Sequence, residues 1–340
     1  QSATIPMNPI ISSMIKPSLQ WIASKSLYLR AFNVEANLSV LMYHRILPEH
    51  DPRYATEEPG MVVEPETFKQ HLQQIKQLFT PVHLSEWTDR KKKGLPLPRK
   101  ACAITFDDGW ADNYEYALPI IEAEQVPITL FAVSDMIGTQ RQFWPNQIND
   151  LLNYQNYQQL QQLEWLRPHL PPKAIISRDS ISHIINSLKQ YSDEYIYQQL
   201  STYSLASSPA TSINNNTLMS WAQLKTMSQS NLVEIGSHTC NHYRLNPSLN
   251  QDQLSHEIIQ SKHRLQDGLS QDINLFCYPN GDVSPEAIQL VSEHYQAAVT
   301  TQRGINTASK CQLHTLQRLG IHQDISHSPT AFRARLANWF

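Results

Sequence analysis

Two adjacent aspartates, Asp107 and Asp108, closely follow the apolar run Ala101–Ile104. Neighbouring carboxylates repel each other, so both stay ionised only with a cation, a shared proton or full solvation to compensate. A bound metal ion would supply the cation, whereas a solvated Asp-Asp-Gly turn explains the same residues without one. The aspartate pair by itself therefore leaves a metal centre and a surface turn equally open.

Two histidines, His238 and His242, follow a second apolar run, Leu232–Ile235. Two imidazoles and one carboxylate make an open three-ligand site of the kind that catalytic metals occupy. The spacing of the histidines predicts that both face the same way on a helical turn. Such a pair alone is more often incidental, but its position after a strand, like that of the aspartates, favours a metal site.

A third apolar run, Ile273–Tyr278, breaks at Pro279-Asn280-Gly281. Such a turn can aim free backbone N–H groups, that of Asn280 among them, into a site, as an oxyanion hole requires. An ordinary turn before a helix that starts at Ser284 explains the same residues. Because barrel active sites are built where strands end, the three motifs together predict a single site.

Short apolar runs alternate with segments of helical period, which is typical of βα units around a parallel sheet or barrel. The predicted helices include Pro65–Phe79 and Gln251–Asp267, the second opened by an Asn250 to Gln253 capping pair and closed by Gly268. Seven strands suit a closed or nearly closed barrel. They are predicted at Leu38–Tyr43, Ala101–Phe106, Ile128–Val133, Leu232–Ile235, Ile273–Tyr278, Ala297–Thr300 and Leu316–Ile321.

One stretch, residues 152–216, interrupts this alternation and is rich in Gln, Tyr and Ser. It predicts a helical insertion within a single domain that spans residues 38–340. Residues 1–37 form an N-terminal extension, in which 10–32 could fold as a basic amphipathic helix. That helix is expected to pack on its own domain, with contact to a membrane surface as the alternative. No apolar run reaches the roughly 18 residues of a membrane-spanning helix.

Composition and cysteine spacing exclude several other classes of protein. The 340 residues carry a net charge of −3 and are 41% hydrophobic, as in ordinary soluble proteins, and no basic field suited to nucleic acid is present. The four cysteines contain no CxxC pair, so neither a zinc ribbon nor a disulfide scaffold is indicated. Such free cysteines favour a reducing compartment such as the cytoplasm.

The three motifs, in this order, resemble those of the polysaccharide deacetylases, the NodB-homology carbohydrate esterases of family four. The resemblance extends over most of Leu38–Ile321, apart from the insertion. It implies a distorted (β/α)7 barrel in which Asp107 is the general base. It also implies a divalent metal cofactor, Zn²⁺ in the first place and Co²⁺, Ni²⁺ or Fe²⁺ as alternatives, with three ligands: Asp108, His238 and His242.

The run Leu41–Ile46 is similar to the branch of this family that acts on exopolysaccharides. By that similarity His44 points toward the metal centre as support or as a proton donor, although a buried structural histidine is the alternative. Many family members carry arginine in the third motif, where this chain has Cys277, so Arg318 is the candidate to hold the catalytic aspartate instead. The general acid is left open among three histidines: His44, His314 and His322.

The resemblance implies a hydrolase that removes acetyl groups, N-acetyl in the first place, from an exopolysaccharide or a related amino-sugar glycan. The candidates for sugar binding are Trp110, Trp144 and Tyr278, whereas Trp221 is expected in the core. Two alternatives stay open: a related carbon–nitrogen hydrolase acting on a cyclic imide or a formyl-sugar, and a catalytically inactive glycan-binding module. Related exopolysaccharide deacetylases commonly work outside the cytoplasm, so the compartment is also left open.

Overall fold

The computed structural model describes six stretches of the chain: residues 20–21, 35–58, 60–154, 157–172, 176–206 and 218–338. The predicted N-terminal helix, residues 10–32, lies outside the described residues except for Gln20 and Trp21, which are helical. Within the described stretches, no helix combines the length and the apolar character that crossing a membrane requires.

Seven parallel strands close into a barrel. In chain order they are β1 (Asn37–Tyr43), β2 (Lys100–Phe106), β3 (Ile128–Ala132), β4 (Val233–Ser237), β5 (Leu275–Cys277), β6 (Ala297–Arg303) and β7 (Leu316–Gly320). Each strand pairs with the next, and β7 pairs with β1, so the ring has no open edge. All seven predicted strands exist, and the predicted (β/α)7 barrel is confirmed.

The register between β1 and β2 decides which residues meet at the end of the barrel. The two strands pair from Asn37 opposite Lys100 to Tyr43 opposite Phe106. The next residues, His44 and Asp107, therefore leave adjacent strands at the same level. Because the carboxyl ends of parallel strands share one face of the barrel, the motifs after β4 and β5 emerge at that face as well.

Four two-residue strands add to this frame. Arg45–Ile46 pairs with Val62–Val63 in a separate small sheet, Thr80–Pro81 lies beside β2, and Asn306–Thr307 runs antiparallel to β1. The helices found in the described residues surround the barrel or form the segment between β3 and β4. Their bounds are Pro52–Thr56, Pro65–Leu78, Leu84–Lys92, Asn113–Ala117, Leu118–Glu124, Trp144–Tyr154, Tyr157–Gln161, Arg167–His169, Arg178–Leu188, Asp193–Ala206, Trp221–Ser228, Gln251–Ser255, His256–Gln260, Ser261–Leu269, Pro279–Gly281, Pro285–His294, Gln323–Ser326 and Pro329–Leu336.

The segment between β3 and β4 has a hydrophobic cluster of its own. Helices Trp144–Tyr154, Arg178–Leu188 and Asp193–Ala206 all contribute to it, through residues such as Ile148 and Ile185. The helical segment thus begins before residue 152, where the sequence predicted its start. Residues 207–216, the last part of the predicted insertion, lie outside the described residues.

The helical stretch from Gln251 to Leu269 corrects one prediction. Asn250 and Gln253 form the expected capping box, but the helix does not end at Gly268. It continues to Leu269 and ends at Ser270, whose φ is +55°. Gly268 is required for a different reason, because a Cβ there would lie 2.4 Å from Cζ3 of Trp221.

We predict that Gly268→Ala destabilises the protein by about 1–3 kcal/mol, because the added methyl group overpacks the Trp221 ring. Helix propensity alone would make the same change favourable by about 1 kcal/mol. In a Trp221→Leu background, Gly268→Ala should therefore be neutral or stabilising. Urea unfolding of the four proteins checks this, and an equal loss in both backgrounds would exclude the ring contact as the cause.

Candidate active site

The carboxyl ends of the strands surround a cavity of about 330 Å³. Seven of the ten site residues predicted from the sequence line it: His44, Asp107, Asp108, Trp110, His238, His242 and Asn280. Of the other three, Arg318 lies buried behind the cavity wall, whereas Trp144 and Tyr278 lie elsewhere. The structure therefore brings residues from five separate parts of the chain to one place.

Asp107 and Arg318 form a buried, two-pronged ion pair. Nη1 of Arg318 donates to Oδ1 of Asp107 and Nη2 donates to Oδ2, each over 2.7 Å. The guanidinium also donates to the carbonyl of Thr300 and lies 3.2 Å from Sγ of Cys277. The small side chain of Cys277 thus leaves space for Arg318. This arginine reaches Asp107 from β7, not from the third motif.

The charge on Asp107 is fixed by this arrangement. Burial by itself would raise the pKa of Asp107, but the Arg318 guanidinium outweighs burial and holds the pKa below its usual range. Nε2 of His44 lies 3.9 Å from Oδ2 of the same carboxylate. Asp107 is consequently an ionised carboxylate at neutral pH, held in one orientation and facing the cavity.

Asp108 meets both histidines of the second motif. Its Oδ1 lies 3.4 Å from Nε2 of His238 and 3.4 Å from Nε2 of His242. Its other oxygen, Oδ2, accepts a hydrogen bond of 2.8 Å from Nε1 of Trp110. These three ligand atoms lie within 4.8 Å of one another, so a single cation could contact all of them.

Both imidazoles present the nitrogen that a metal ion needs. Nδ1 of His238 lies 2.8 Å from the carbonyl oxygen of Cys277, which can only accept, so Nδ1 carries the proton and Nε2 faces Asp108. Burial lowers the pKa of His242 to about 3, so its imidazole is neutral at neutral pH. The donor set of two imidazoles and one carboxylate fits a divalent ion such as Zn²⁺.

The predicted helical turn between His238 and His242 is not formed. The chain after β4 is irregular, and Thr239 and His242 have φ values of +67° and +62°. These left-handed residues, rather than helical spacing, bring the two rings to a centroid distance of 4.8 Å. Asp108 also has a positive φ of +77°, so two of the three candidate ligands hold backbone conformations that such residues rarely adopt.

The Pro279–Gly281 turn places Asn280 on the cavity wall. Asn280 has a φ of +55°, and its carbonyl accepts a hydrogen bond from Oγ1 of Thr301. Gly281 also has a positive φ, of +71°, and a Cβ at this position would lie 1.9 Å from the same hydroxyl oxygen. Close packing against β6 therefore fixes the turn.

The three aromatic residues predicted to bind sugar occupy different environments. Trp110 lines the cavity and stacks on the guanidinium of Arg45, 4.2 Å from its Cζ. Tyr278 is fully buried and packs edge-on against Phe276, away from the cavity. Trp144 is also buried, and its Nε1 donates to Asp193. Neither Trp144 nor Tyr278 thus offers a ring face to a ligand in this cavity, and Trp221 packs on the main core as expected.

The histidines considered as general acids are separated in space. His44 lines the cavity, whereas Nε2 of His314 lies 3.0 Å from the carbonyl of Tyr295, to which it is tied. His322 lies beside Asp324 and does not line the cavity. Geometry therefore favours His44 as the proton donor among the three.

Two buried arginines near the site were not predicted as site residues from the sequence. Arg45 forms ion pairs with Asp112 and Glu57 beneath Trp110. Arg244, two positions after His242, pairs with Asp193. Nothing in the local sequence distinguishes these arginines from surface ones, because their burial depends on partners distant in the chain.

A closed parallel barrel with this three-ligand cluster beside a buried carboxylate is suited to hydrolysis assisted by a divalent cation. The family model for polysaccharide deacetylases matches residues 94–164 and 177–299, more than half of the chain. The chain belongs to the polysaccharide deacetylase family.

Two bacterial relatives match parts of the sequence. YxkH of Bacillus subtilis (strain 168), named as a polysaccharide deacetylase, is 26% identical over 188 residues, which cover 54% of this chain and 60% of YxkH. The poly-beta-1,6-N-acetyl-D-glucosamine N-deacetylase of Escherichia coli (strain K12) is 34% identical over 61 residues, 18% of this chain and 9% of that protein. The chain thus spans less than two thirds of the length of both relatives.

Solved structures share the fold at lower identity. IcaB from Ammonifex degensii superposes with a TM-score of 0.57 at 18% identity, covering 89% of this chain and 97% of IcaB. The Streptococcus pyogenes deacetylase PplD, solved with acetate, gives 0.56 at 20% identity, covering 86% and 96% of the two chains. These similarities show that the chain shares the fold of those structures.

Proposed function

We propose that this protein is a metal-dependent deacetylase that removes N-acetyl groups from an exopolysaccharide or a related amino-sugar glycan. The observation that carries the proposal is the pairing of Asp107 with Arg318 beside the cluster of Asp108, His238 and His242. An ionised base and an adjacent cation site are the two groups that metal-assisted hydrolysis of an amide by water uses.

The residues around the cavity have different roles in the proposed reaction. A divalent cation bound by Asp108, His238 and His242 would polarise the acetyl carbonyl and lower the pKa of water. Asp107 accepts a proton from the attacking water, and the backbone N–H of Asn280 donates to the developing oxyanion. His44 donates a proton to the leaving nitrogen as the carbon–nitrogen bond breaks, giving acetate and a free amine.

The substrate class is supported by the relatives and by the cavity. The Escherichia coli relative is named for a polymer of N-acetylglucosamine, although the match covers little of its length. The cavity here combines an indole, from Trp110, with polar side chains, and its volume of about 330 Å³ is in the range of small-ligand sites. We also propose that residues 38–340 form one domain, preceded by an extension at 1–37. A helical insertion interrupts this domain; it was predicted at 152–216, and its first helix, Trp144–Tyr154, begins earlier.

The decisive experiment measures acetate release from N-acetylglucosamine oligomers together with the metal content of the purified protein. We expect acetate release that a chelator abolishes and that added Zn²⁺ restores. A parallel panel contains an O-acetylated glycan, a cyclic imide and a formyl-sugar. Turnover of a panel member without release of acetate from the oligomers would contradict the proposal, as would glycan binding without any turnover.

We predict that Asp108→Ala and His238→Ala each reduce retained metal from about one equivalent to near zero, because two ligands cannot replace three. Elemental analysis after exhaustive dialysis provides the measurement. His314→Ala is the matched control, since that imidazole is tied to the carbonyl of Tyr295 outside the cavity. Full metal retention in both ligand variants would place the cation elsewhere.

A further inference from the structure

One wall of the cavity comes from the helical segment between β3 and β4. This segment is distant in the sequence from the catalytic motifs. Helix Arg178–Leu188 contributes Ile185, and the next residue, Lys189, caps that helix and also lines the cavity. These residues lie outside the three motifs that define the family resemblance. The segment therefore adds a side of the site that the three motifs do not supply.

A buried arginine holds Lys189 in place. Nη1 of Arg244 donates to the carbonyl of Lys189 over 2.6 Å, and Nη2 donates to the carbonyl of Tyr191 over 2.5 Å. Its Nε and its backbone N–H both donate to the carboxylate of Asp193, and Asp193 also accepts from the indole of Trp144. Because Arg244 follows His242 closely, the insertion is fastened to the loop that carries a candidate metal ligand.

Glu58, which closely follows helix Pro52–Thr56, lines the same cavity. Its neighbour Glu57 turns inward to pair with Arg45, but no described residue forms a hydrogen bond or an ion pair with the carboxylate of Glu58. The side chain is half-buried, and burial together with the charge of Glu57 raises the pKa of Glu58 to about 7. A polar group held in this way gains from a hydrogen-bonding ligand.

We propose that Glu58 and Lys189 form a specificity-determining pair that binds hydroxyl groups of the sugar whose acetyl group is removed. The ammonium of Lys189 can only donate and the carboxylate of Glu58 accepts, whereas a hydroxyl group does both and can bridge them. The inference rests on the proposed glycan substrate. It goes beyond that substrate by assigning recognition of the ring to two residues outside the catalytic motifs.

Charge links Glu58 and Lys189 across the cavity, because the Lys189 ammonium lowers the pKa of the Glu58 carboxyl group, which burial raises. A neutral, hydroxyl-rich, acetylated pyranose can accept a hydrogen bond from the ammonium and donate one to the carboxylate without bringing a further charge into the cavity.

The test measures binding rather than turnover. Calorimetry gives the Kd of the N-acetylglucosamine tetramer for zinc-loaded protein carrying Asp107→Asn, alone and combined with Lys189→Met or with Glu58→Gln. We expect Kd to rise on the order of tenfold in each combined variant, because a hydrogen bond to a charged group is lost. Lys225→Met and Glu286→Gln, which change exposed residues on other helices, are the matched controls and should leave Kd unchanged.

Two outcomes overturn the assignment, namely an absence of measurable tetramer binding and a Kd unchanged in both combined variants. The fully deacetylated tetramer is measured in parallel, and an effect of Glu58→Gln confined to that ligand would show recognition of an ammonium group, which also overturns it. Weakened binding of the acetylated tetramer, with no acetate release by the wild-type protein, would keep the pair and refute the proposed reaction. The two proposals can thus fail separately.

Discussion

Replacing Asp107 by Asn is expected to leave the fold and the metal in place while lowering turnover by roughly 10²- to 10⁴-fold, the usual contribution of a general base. The amide keeps the shape of the carboxylate, so it can still accept a hydrogen bond from Arg318. It cannot accept a proton from water at neutral pH. The ligands Asp108, His238 and His242 are unchanged, so metal content should stay near one equivalent.

Acetate release, elemental analysis and circular dichroism on the same preparation separate the possible causes of a loss. Asp108→Ala provides the contrast, since it should lose turnover together with the metal. Full turnover in Asp107→Asn protein would remove this residue as the base. Loss of metal in Asp107→Asn protein would instead assign the carboxylate to the cation site.

Replacing Arg318 by Met should have the largest effect on stability, a loss of about 3–5 kcal/mol, because it leaves the buried carboxylate of Asp107 without its partner. Urea unfolding at pH 7 measures the change. Arg303→Met is the matched control: Arg303 lies opposite Arg318 in the register of β6 and β7, but it is exposed. That control should change stability by less than about 0.5 kcal/mol.

A second substitution tests the cause of this loss. The double variant Asp107→Asn/Arg318→Met should be more stable than Arg318→Met alone, because no charge is then left buried without a partner. If the loss of unfolding free energy in the double variant instead equalled the sum of the losses in the two single variants, the arginine would stabilise the protein through contacts other than Asp107.

The same ion pair predicts how the Arg318→Met protein depends on pH. The guanidinium holds the pKa of Asp107 low, so in the wild-type protein the pair stabilises the fold at neutral pH, and this contribution is lost as pH falls through the folded pKa. Without Arg318, burial raises that pKa, and protonation in acid relieves the unpaired charge. The difference in unfolding free energy between the wild-type and Arg318→Met proteins should therefore shrink between pH 7 and pH 4. In the Arg318→Met protein, the acid limb of the pH–rate profile should also move to higher pH.

The barrel could be predicted because its strands carry local patterns. Each strand is a short apolar run followed by a polar motif, and a parallel strand covered on both faces needs such a run wherever it stands. The helix predicted at Gln251–Asp267 was only partly correct, because one of its two end signals is local and the other is not. The capping box at Asn250 and Gln253 is local and was confirmed, whereas the role of Gly268 depends on a ring from another helix.

The sequence also identified most of the residues that meet in the cavity, since the motifs after β1, β2, β4 and β5 place them at strand ends. The sequence predicted the wrong backbone conformation for the histidine motif. A spacing of four residues places two side chains on the same side only if the backbone between them is helical. Thr239 and His242 are left-handed instead. Contacts from the whole barrel maintain that strained conformation, and short-range propensity does not reveal them.

By itself the sequence determined the seven strands, the order of the motifs and the set of side chains able to hold a cation beside a base. Only the tertiary structure showed that Arg318, a candidate from the sequence, pairs with Asp107 across 211 positions of the chain. It also showed that Lys189 and Glu58 line the cavity, whereas Trp144 and Tyr278 are buried outside it. The physical reason is that propensity and periodicity act over a few residues. The partner of a buried charge and the direction of a side chain are fixed only when the barrel closes and brings distant segments into contact.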